Sequence, residues 1–332
     1  MINKELTDFI SKRLNITRRD LIEKDIIISK MLFYLTQDKD FFQDYAFKGG
    51  TCLTKCYFGY YRFSEDMDFT YLNQKDFMGK SKSKIREVMS EKINKLGELI
   101  EVTAKKLDLD FKMEKENKRY FQFGGSNVFV TFKIWYNSKE LENETFVKIQ
   151  VNHIEKLNYP LRELNAGFIV PKNLEKDFSF IASKDAEILL KPIKIKVYDL
   201  KEILIEKVRA ILTRRGIKAR DFVDVFLIKK SLEGTSGCSE IRNISEITKK
   251  EKLDLNDFKK EIMGKISDML KFEKYTLNIQ NKETQINGDL ILGEEETLML
   301  TPIDKGFPKF LKEFNIFLME VIKELKLQAE LV

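Results

Sequence analysis

Apolar residues recur at helical spacing in several stretches of the chain. Residues 21–35 carry such a stripe, and it follows Thr17-Arg18-Arg19-Asp20, whose residue types are those of a capping box. Residues 81–107 form a long, charged stretch, and residues 310–322 are strongly amphipathic. Each of these stretches predicts a helix.

Several shorter segments alternate polar with apolar residues, which is the period of a strand. A brief apolar approach at residues 45–48, strand or turn, leads into a glycine pair, and residues 52–57 then have the pattern of a helix. The alternation predicts a small mixed sheet flanked by helices. The alternating segments are residues 66–71, 128–136, 146–152 and 193–197.

The pattern changes near residue 197 and becomes mainly helical. Asp199 is a residue type that caps helices, with Glu202 three positions later as its partner. We therefore predict an α+β protein, with a mixed domain over residues 1–197 and a helical domain over residues 198–332. Two segments have the composition of loops, residues 231–245 and 280–305. The apolar faces of the first two predicted helices are Leu204, Val208, Ile211 and Leu212, then Phe222, Val225, Phe226 and Ile228.

Composition narrows the class of protein. The chain has 332 residues, of which 43% are hydrophobic, so a substantial core is available. No apolar run reaches the length of a membrane span, and the first residues lack the apolar stretch of a signal peptide. We expect a cytoplasmic protein with no membrane contact. The net charge of +6 permits a polyanionic partner without requiring one.

Cysteine and histidine are too scarce for several common kinds of site. The cysteines are Cys52, Cys56 and Cys238, and the single histidine is His153. This set makes a zinc site improbable and argues against a hydrolase with a catalytic histidine. Cys52 and Cys56 are spaced as on a helix, and we expect them to be buried as small apolar side chains.

Asp66 and Asp68 are the first candidates for chemistry. Residues i and i+2 of a strand point to the same face, so the two carboxylates would lie side by side. Their repulsion disappears when they bind a divalent cation such as Mg²⁺, or Mn²⁺ in its place, which accepts one or two carboxylates together with substrate phosphates. Taken alone, such a pair is more often part of a solvated strand face than a metal site.

A glycine-rich turn upstream makes the aspartate pair more specific. Gly49 and Gly50 would let a phosphate approach the backbone, and Thr51 begins the segment that follows. Ser64, two residues before Asp66, can donate its hydroxyl to a phosphate oxygen. This order of residues predicts a metal–nucleotide site.

A second group of charged residues lies in the predicted helical domain. Lys207 could neutralise a triphosphate, and Arg209 lies beside it in sequence. Asp221 and Asp224 are spaced to share one face of a helix. The same pattern would also suit a solvated basic helix with local ion pairs.

These motifs resemble those of the AbiEii nucleotidyltransferase toxins, which belong to the DNA polymerase β-like nucleotidyltransferase superfamily. The similarity lies in Lys48-Gly49-Gly50-Thr51 and Arg62-Phe63-Ser64-Glu65-Asp66-Met67-Asp68-Phe69, and upstream in Glu23-Lys24-Asp25. It continues in the segments at residues 204–212 and 218–224, and it ends near residue 228.

The resemblance implies a polymerase β-like nucleotidyltransferase domain and a toxin of a toxin–antitoxin or phage-defence system. Such a protein would transfer a nucleotide from an NTP to an acceptor, plausibly the end of a tRNA, and would have a cognate antitoxin. By position, Ser64 and Asp66 would hold phosphate and metal, and Asp68 would be the second metal ligand. Lys207 would contact the nucleotide, with Arg209 helping to balance charge.

One position departs from the superfamily pattern. Many relatives carry a third carboxylate on a later strand, where this chain has Gln150 and Asn152. Asp221 or Asp224 is the predicted substitute. Two other functions stay open, namely an NTP-binding regulator with little catalysis and an interaction module that needs no metal.

Overall fold

The computed structural model describes residues 4–124, 128–234, 254–270, 272–286 and 298–329. The chain divides into two compact units. The first consists of Met1–Leu157 and Leu161–Tyr198, and the second of Asn158–Pro160 and Asp199–Val332.

The first unit contains a sheet of seven strands in the order β3-β4-β5-β2-β1-β7-β6. The sheet is mixed, since β2 pairs parallel with β5 and β1 pairs parallel with β7, whereas the other neighbours are antiparallel. The strands are β1 (Tyr45–Lys48), β2 (Asp66–Tyr71), β3 (Phe121–Gly124), β4 (Phe129–Asn137), β5 (Glu144–Asn152), β6 (Arg162–Ala166) and β7 (Ile193–Val197).

One face of this sheet is apolar and the other is polar. The row Phe121–Phe132–Ile149–Met67 crosses β3, β4, β5 and β2, and all four side chains are buried. Residues one position away along each strand face the opposite side. That opposite side carries the acidic pair of β2.

Helices surround the sheet in the first unit. They are α1 (Lys4–Leu14), α2 (Arg19–Gln37), α3 (Lys39–Asp44), α4 (Gly49–Cys52), α5 (Lys82–Lys106), α6 (Glu175–Ile181) and α7 (Ser183–Leu189). α4 continues as a π-helical stretch over Leu53–Phe58. The Ser81 side chain caps α5 by accepting a hydrogen bond from the backbone N–H of Lys84.

The described part of the second unit is helical. It contains α8 (Leu200–Thr213), α9 (Ala219–Leu232), α10 (Lys259–Leu270), α11 (Glu273–Ile286) and α12 (Phe307–Ala329). The apolar side chains predicted to line α8 and α9 are buried, and α12 packs its aromatic stripe inward through Phe314 and Phe317. Phe222 of α9 meets Phe314 edge to face at 5.5 Å.

The α+β class, the mixed sheet and the mainly helical second part are confirmed. The helix predicted at residues 52–57 is present, but it begins earlier, at Gly49. Two local predictions were wrong. The capping box expected at Thr17-Arg18-Arg19-Asp20 does not form, because α2 begins at Arg19 without a side-chain cap and Asp20 forms an ion pair with Arg18. Residues 280–286, which read as a loop, belong to α11.

The cysteines and the histidine of the first unit are packed as small core groups. Cys52 and Cys56 are buried and reduced, and burial raises the pKa of the Cys52 thiol. Burial lowers the pKa of His153 to about 4, which keeps its ring neutral at pH 7. Cys238, residues 235–253 and residues 287–297 lie outside the described residues. None of the helices described is long and apolar enough to span a membrane.

Candidate active site

Asp66 and Asp68 lie on the same face of β2. Met67 and Phe69, between and after them, are buried on the opposite face, whereas both aspartates keep part of their surface exposed. The Asp66 side chain is 33% exposed, and its Oδ1 lies 3.6 Å from Nζ of Lys148. The two carboxylates are therefore adjacent and open to solvent.

The glycine pair passes directly beside the second aspartate. Gly49 has φ +75°, and a Cβ placed on it would lie 2.3 Å from Oδ2 of Asp68. A Cβ on Gly50 would lie 2.3 Å from a guanidinium nitrogen of Arg62 and 3.1 Å from Oγ of Ser64. A Cβ at either position would therefore force one of these side chains to move, and at Gly49 the left-handed φ adds a further preference for glycine.

Thr51 and Ser64 connect the turn to the acidic strand. The Thr51 hydroxyl lies 2.8 Å from Oγ of Ser64 and is also hydrogen-bonded to the backbone carbonyl of Asp66. Lys48 pairs with Asp68 across β1 and β2. Gly49, Gly50, Thr51, Ser64 and the two aspartates are thus brought into one small region of the first unit.

The polar face continues across the neighbouring strands in register. Gln122, Thr131, Gln150, Asp68 and Lys48 form one row from β3 to β1. Gln150 therefore occupies the position directly beside Asp68. Its amide donates to Oγ1 of Thr131 at 3.3 Å, so this position is neutral, as the sequence indicates.

Glu155 is a nearby carboxylate that sequence reasoning missed. Its Oε2 accepts a 2.6 Å hydrogen bond from the amide of Asn152 and lies 3.5 Å from Nζ of Lys48. It follows the end of β5 and belongs to no strand, so the strand pattern gave no reason to select it.

The Glu23-Lys24-Asp25 element of α2 contacts three other segments of the first unit. Glu23 accepts hydrogen bonds from Ser138 and from the backbone N–H of Lys139 at the β4–β5 turn. Lys24 forms a 2.5 Å ion pair with Glu65, the residue between Ser64 and Asp66.

The third residue of the element, Asp25, forms a buried ion pair with Lys55 of the π-helical stretch, at 2.7 Å. Ser29 and Tyr60 complete the bonding of the Lys55 ammonium. Each residue of the Glu23-Lys24-Asp25 element therefore binds a different segment of the first unit.

In the second unit, Lys207 bridges the two aspartates of α9. Its Nζ lies 2.7 Å from Oδ1 of Asp221 and 2.6 Å from Oδ2 of Asp224. The aspartate side chains are 3% and 0% exposed. Burial alone would raise the pKa of Asp221, but Lys207 and Arg214 outweigh it and leave that pKa below its usual value.

Arg209 forms an ion pair with Glu206, three residues earlier on α8. Its guanidinium donates to Glu206 at 2.7 Å, and Glu206 also lies 3.1 Å from Nζ of Lys265. Glu202 does not complete a capping box with Asp199. Its carboxylate pairs with Lys265 at 2.7 Å and accepts from the backbone N–H groups of Asn158 and Tyr159.

Comparison with known proteins identifies the family. The family model described as Nucleotidyl transferase AbiEii toxin, Type IV TA system, matches residues 31–288, which is more than half of the chain. This chain belongs to the AbiEii nucleotidyltransferase toxin family. No curated protein sequence matches it.

Two solved structures are similar to this AbiEii family member at low identity. The crystal structure of JHP933 from Helicobacter pylori shares 12% identity, covers 95% of this chain and 97% of that chain, and gives a TM-score of 0.42. A candidate nucleotidyltransferase from H. pylori shares 14% identity, covers 94% of each chain, and gives a TM-score of 0.38.

The donor set of the first unit fits a divalent cation. Asp66 and Asp68 present two partly exposed carboxylates on one face, which is the number that Mg²⁺ commonly takes from a protein when phosphates supply further ligands. Among the described residues, no group of three or more carboxylate, cysteine or histidine side chains is arranged to hold a metal by itself. In this AbiEii family member, water and substrate oxygens would complete the coordination of a metal at the pair.

Proposed function

We propose that this protein transfers a nucleotide from an NTP to an acceptor hydroxyl at the site formed by Gly49, Gly50, Ser64, Asp66 and Asp68. One observation carries the proposal. Gly49 has a left-handed φ, and a Cβ on it would overlap the Asp68 carboxylate. The backbone of the glycine turn therefore lies directly beside that carboxylate. A nucleotide phosphate needs both kinds of group, namely backbone N–H donors and a carboxylate pair for its metal.

Different residues of the first unit would bind different parts of the NTP. The N–H groups of the glycine pair would donate to phosphate oxygens. The Ser64 hydroxyl, whose oxygen lies 2.8 Å from that of Thr51, would rotate its proton toward a phosphate oxygen. Asp66 and Asp68 would hold Mg²⁺ or Mn²⁺, which would neutralise phosphate charge and lower the pKa of the acceptor hydroxyl. Lys148, beside Asp66, supplies positive charge for the phosphates.

In the transfer step, the acceptor oxygen attacks the α-phosphorus of the NTP. A new phosphorus–oxygen bond forms, the bond to the bridging oxygen breaks, and pyrophosphate leaves with its electron pair. The proton of the acceptor hydroxyl goes to a carboxylate, for which Asp221 and Asp224 are the proposed candidates. Asp221, with its lowered pKa, suits a charge-balancing role better than that of a proton acceptor.

Lys207 and Arg209 are the proposed contacts to the leaving pyrophosphate. Their partners in the structure, Asp221, Asp224 and Glu206, are carboxylates that a phosphate could replace. We extend the proposal to a tRNA acceptor and to a role as a cytoplasmic toxin of a toxin–antitoxin or phage-defence system. We also propose a cognate antitoxin, which the description of the family as a type IV toxin–antitoxin system supports.

The test is transfer of label from each of the four α-³²P-labelled NTPs to total tRNA, with Mg²⁺ or Mn²⁺. The wild-type protein should label RNA with at least one NTP. Asp66→Ala should lower the rate by orders of magnitude, because a metal site supplies several kcal/mol to the transition state. Its far-ultraviolet circular dichroism should be unchanged, since Asp66 is a partly exposed residue.

Two other outcomes distinguish the alternative functions. Binding of Mg²⁺–NTP by calorimetry without any transfer would favour a nucleotide-binding regulator. No binding of Mg²⁺–NTP would favour an interaction module. Full transfer activity in a folded Asp66→Ala protein would refute the site.

A further inference from the structure

A groove lies between α5 and the edge strand β3, away from the acidic pair. Its volume is about 620 Å³, and it is open to solvent. Four of its lining residues are cations, and one is a carboxylate, Glu116. The cations are Arg86, Lys115, Lys118 and Lys133.

The groove also carries an aromatic surface. Phe121 and Phe123 stack with ring centroids 6.0 Å apart and an interplanar angle of 13°. Phe121 is buried, whereas Phe123 is 37% exposed, so the outer ring of the stack faces solvent. An exposed ring backed by a buried one is a rigid platform on which a planar base can stack.

The cations of the groove are available to a polyanion. Arg86 and Lys118 are exposed, and neither forms an ion pair with a carboxylate within the ranges that the structure describes. Lys115 is held at the groove wall by hydrogen bonds from its ammonium to the carbonyl and hydroxyl of Ser90. An array of this composition has the charge of a surface that binds phosphates.

Strand register connects the groove to the candidate active site. Lys133 of β4 pairs with Lys148 of β5, which pairs with Asp66 of β2. Lys133 therefore belongs both to the groove lining and to the row of the acidic pair. Phe123 shares the sheet face of Phe121, whereas Lys133, Lys148 and Asp66 lie on the other face, so a bound strand would pass around the edge strand β3. Within the sheet, the separation from β3 to β2 is three strand spacings, roughly 14 Å.

We propose that the α5–β3 groove binds a single-stranded segment of the acceptor RNA, with a base stacked on Phe123 and phosphates on Arg86, Lys118 and Lys133. The RNA strand then passes around the edge strand β3, and Lys148 on the opposite face contacts it next to Asp66. A protein partner with acidic groups would use the cations, but it would have no need for a stacking platform. The identity of the ligand as the acceptor rests on the proposed function, whereas binding itself does not require catalysis.

The experiment measures binding without NTP or metal, so that it does not depend on transfer activity. A fluorescent oligouridylate of about 12 nucleotides, within the site sizes of single-strand binding folds, is titrated with full-length protein by anisotropy at several salt concentrations. Phe123→Ala should weaken binding by roughly 5- to 150-fold, the range typical of one stacked base. Arg86→Ala with Lys118→Ala should reduce the salt slope by roughly 1.4, about 0.7 per phosphate contact.

Matched control variants lie between residues 172 and 180, outside the groove lining. Phe180 is 92% exposed, and Lys172 and Lys176 are also exposed. Phe180→Ala, and Lys172→Ala with Lys176→Ala, should leave both affinity and salt slope unchanged. Circular dichroism of every variant checks that the fold is kept.

Three results would overturn the proposal. The first is no binding of the oligonucleotide by the wild-type protein at low salt. The second is an equal effect of the control and groove variants. The third is loss of affinity in the charge variants with none in Phe123→Ala, which would describe a general polyanion surface. Loss of RNA transfer with intact oligonucleotide binding would count against the proposed function and leave the groove assignment standing.

Discussion

At the scale of single residues, the two adjacent glycines serve different neighbours. Gly49 makes room for the carboxylate of Asp68, and Gly50 makes room for the guanidinium of Arg62 and the hydroxyl of Ser64. Arg62 is buried, and its guanidinium donates to the carbonyl of Phe63 at 2.8 Å. The glycine turn, the serine loop and the acidic strand are therefore positioned by direct contact with one another.

Gly49→Ala should abolish most of the transfer activity. The new methyl group would overlap the Asp68 carboxylate, which must rotate or shift away from the metal position. The left-handed φ adds about 1–2 kcal/mol of backbone strain. Transfer rate and thermal unfolding are the two measurements.

Gly79→Ala is the control for the strain in Gly49→Ala. Gly79 has φ +68°, similar to that of Gly49, but a Cβ there meets no atom within 4 Å. Gly79→Ala should lower the stability by a similar amount and leave the transfer rate unchanged. Equal loss of activity in both variants would mean that strain, and not the contact with Asp68, explains the effect.

The sequence predicts the placement of Asp66 and Asp68 better than the contacts around them. Strand alternation places Asp66 and Asp68 on one face, because the period of a strand is a backbone property. The glycines were predicted for access of a phosphate, and their packing against Asp68 depends on the β1–β2 register, which no local pattern contains. Glu155 was not predicted, because it follows the end of β5 and its contact with Lys48 is not contained in a local pattern either.

At the scale of elements, α2 and the π-helical stretch after α4 are joined through charge. Asp25 and Lys55 form an ion pair whose side chains are almost fully buried, and Tyr60 donates to the second oxygen of Asp25. Neither expected capping box forms, since Asp20 pairs with Arg18 and Glu202 pairs with Lys265. Asp199 still caps α8 by accepting a hydrogen bond from the backbone N–H of Lys201.

Lys55→Met should destabilise the protein by about 3–5 kcal/mol, because it leaves the Asp25 carboxylate buried without its cation. Chemical denaturation monitored by fluorescence measures the change. Lys95→Met is the control, since Lys95 forms an exposed pair with Glu91 and should cost about 0–0.5 kcal/mol. Equal effects of the two substitutions would show that the buried pair contributes little.

At the scale of the whole molecule, the chain forms a mixed unit and a helical unit, and the proposed site residues are divided between them. The change of pattern near residue 197 predicts such a division, because strand alternation ends there and helical periodicity takes over. The sequence does not predict that Lys207 is enclosed by Asp221 and Asp224. That contact depends on how α8 packs against α9.

The last prediction asks whether Lys207 of the helical unit takes part in a reaction centred on the mixed unit. A purely structural Lys207 would neutralise the buried Asp221 and Asp224, and its loss would lower the free energy of unfolding by about 3–5 kcal/mol. A lysine that also contacts the nucleotide would, in addition, raise the KM for NTP when removed. Lys207→Ala should show both effects.

Lys207→Arg separates these two effects. Arginine keeps the positive charge and should recover most of the stability, but its planar guanidinium differs from a compact ammonium and should restore nucleotide use only partly. Unfolding by denaturant and the KM for NTP are measured on the same preparations. Full recovery of both properties in Lys207→Arg, or an unchanged KM in folded Lys207→Ala, would assign Lys207 to the helical unit's stability alone and leave the nucleotide to the residues around Asp66.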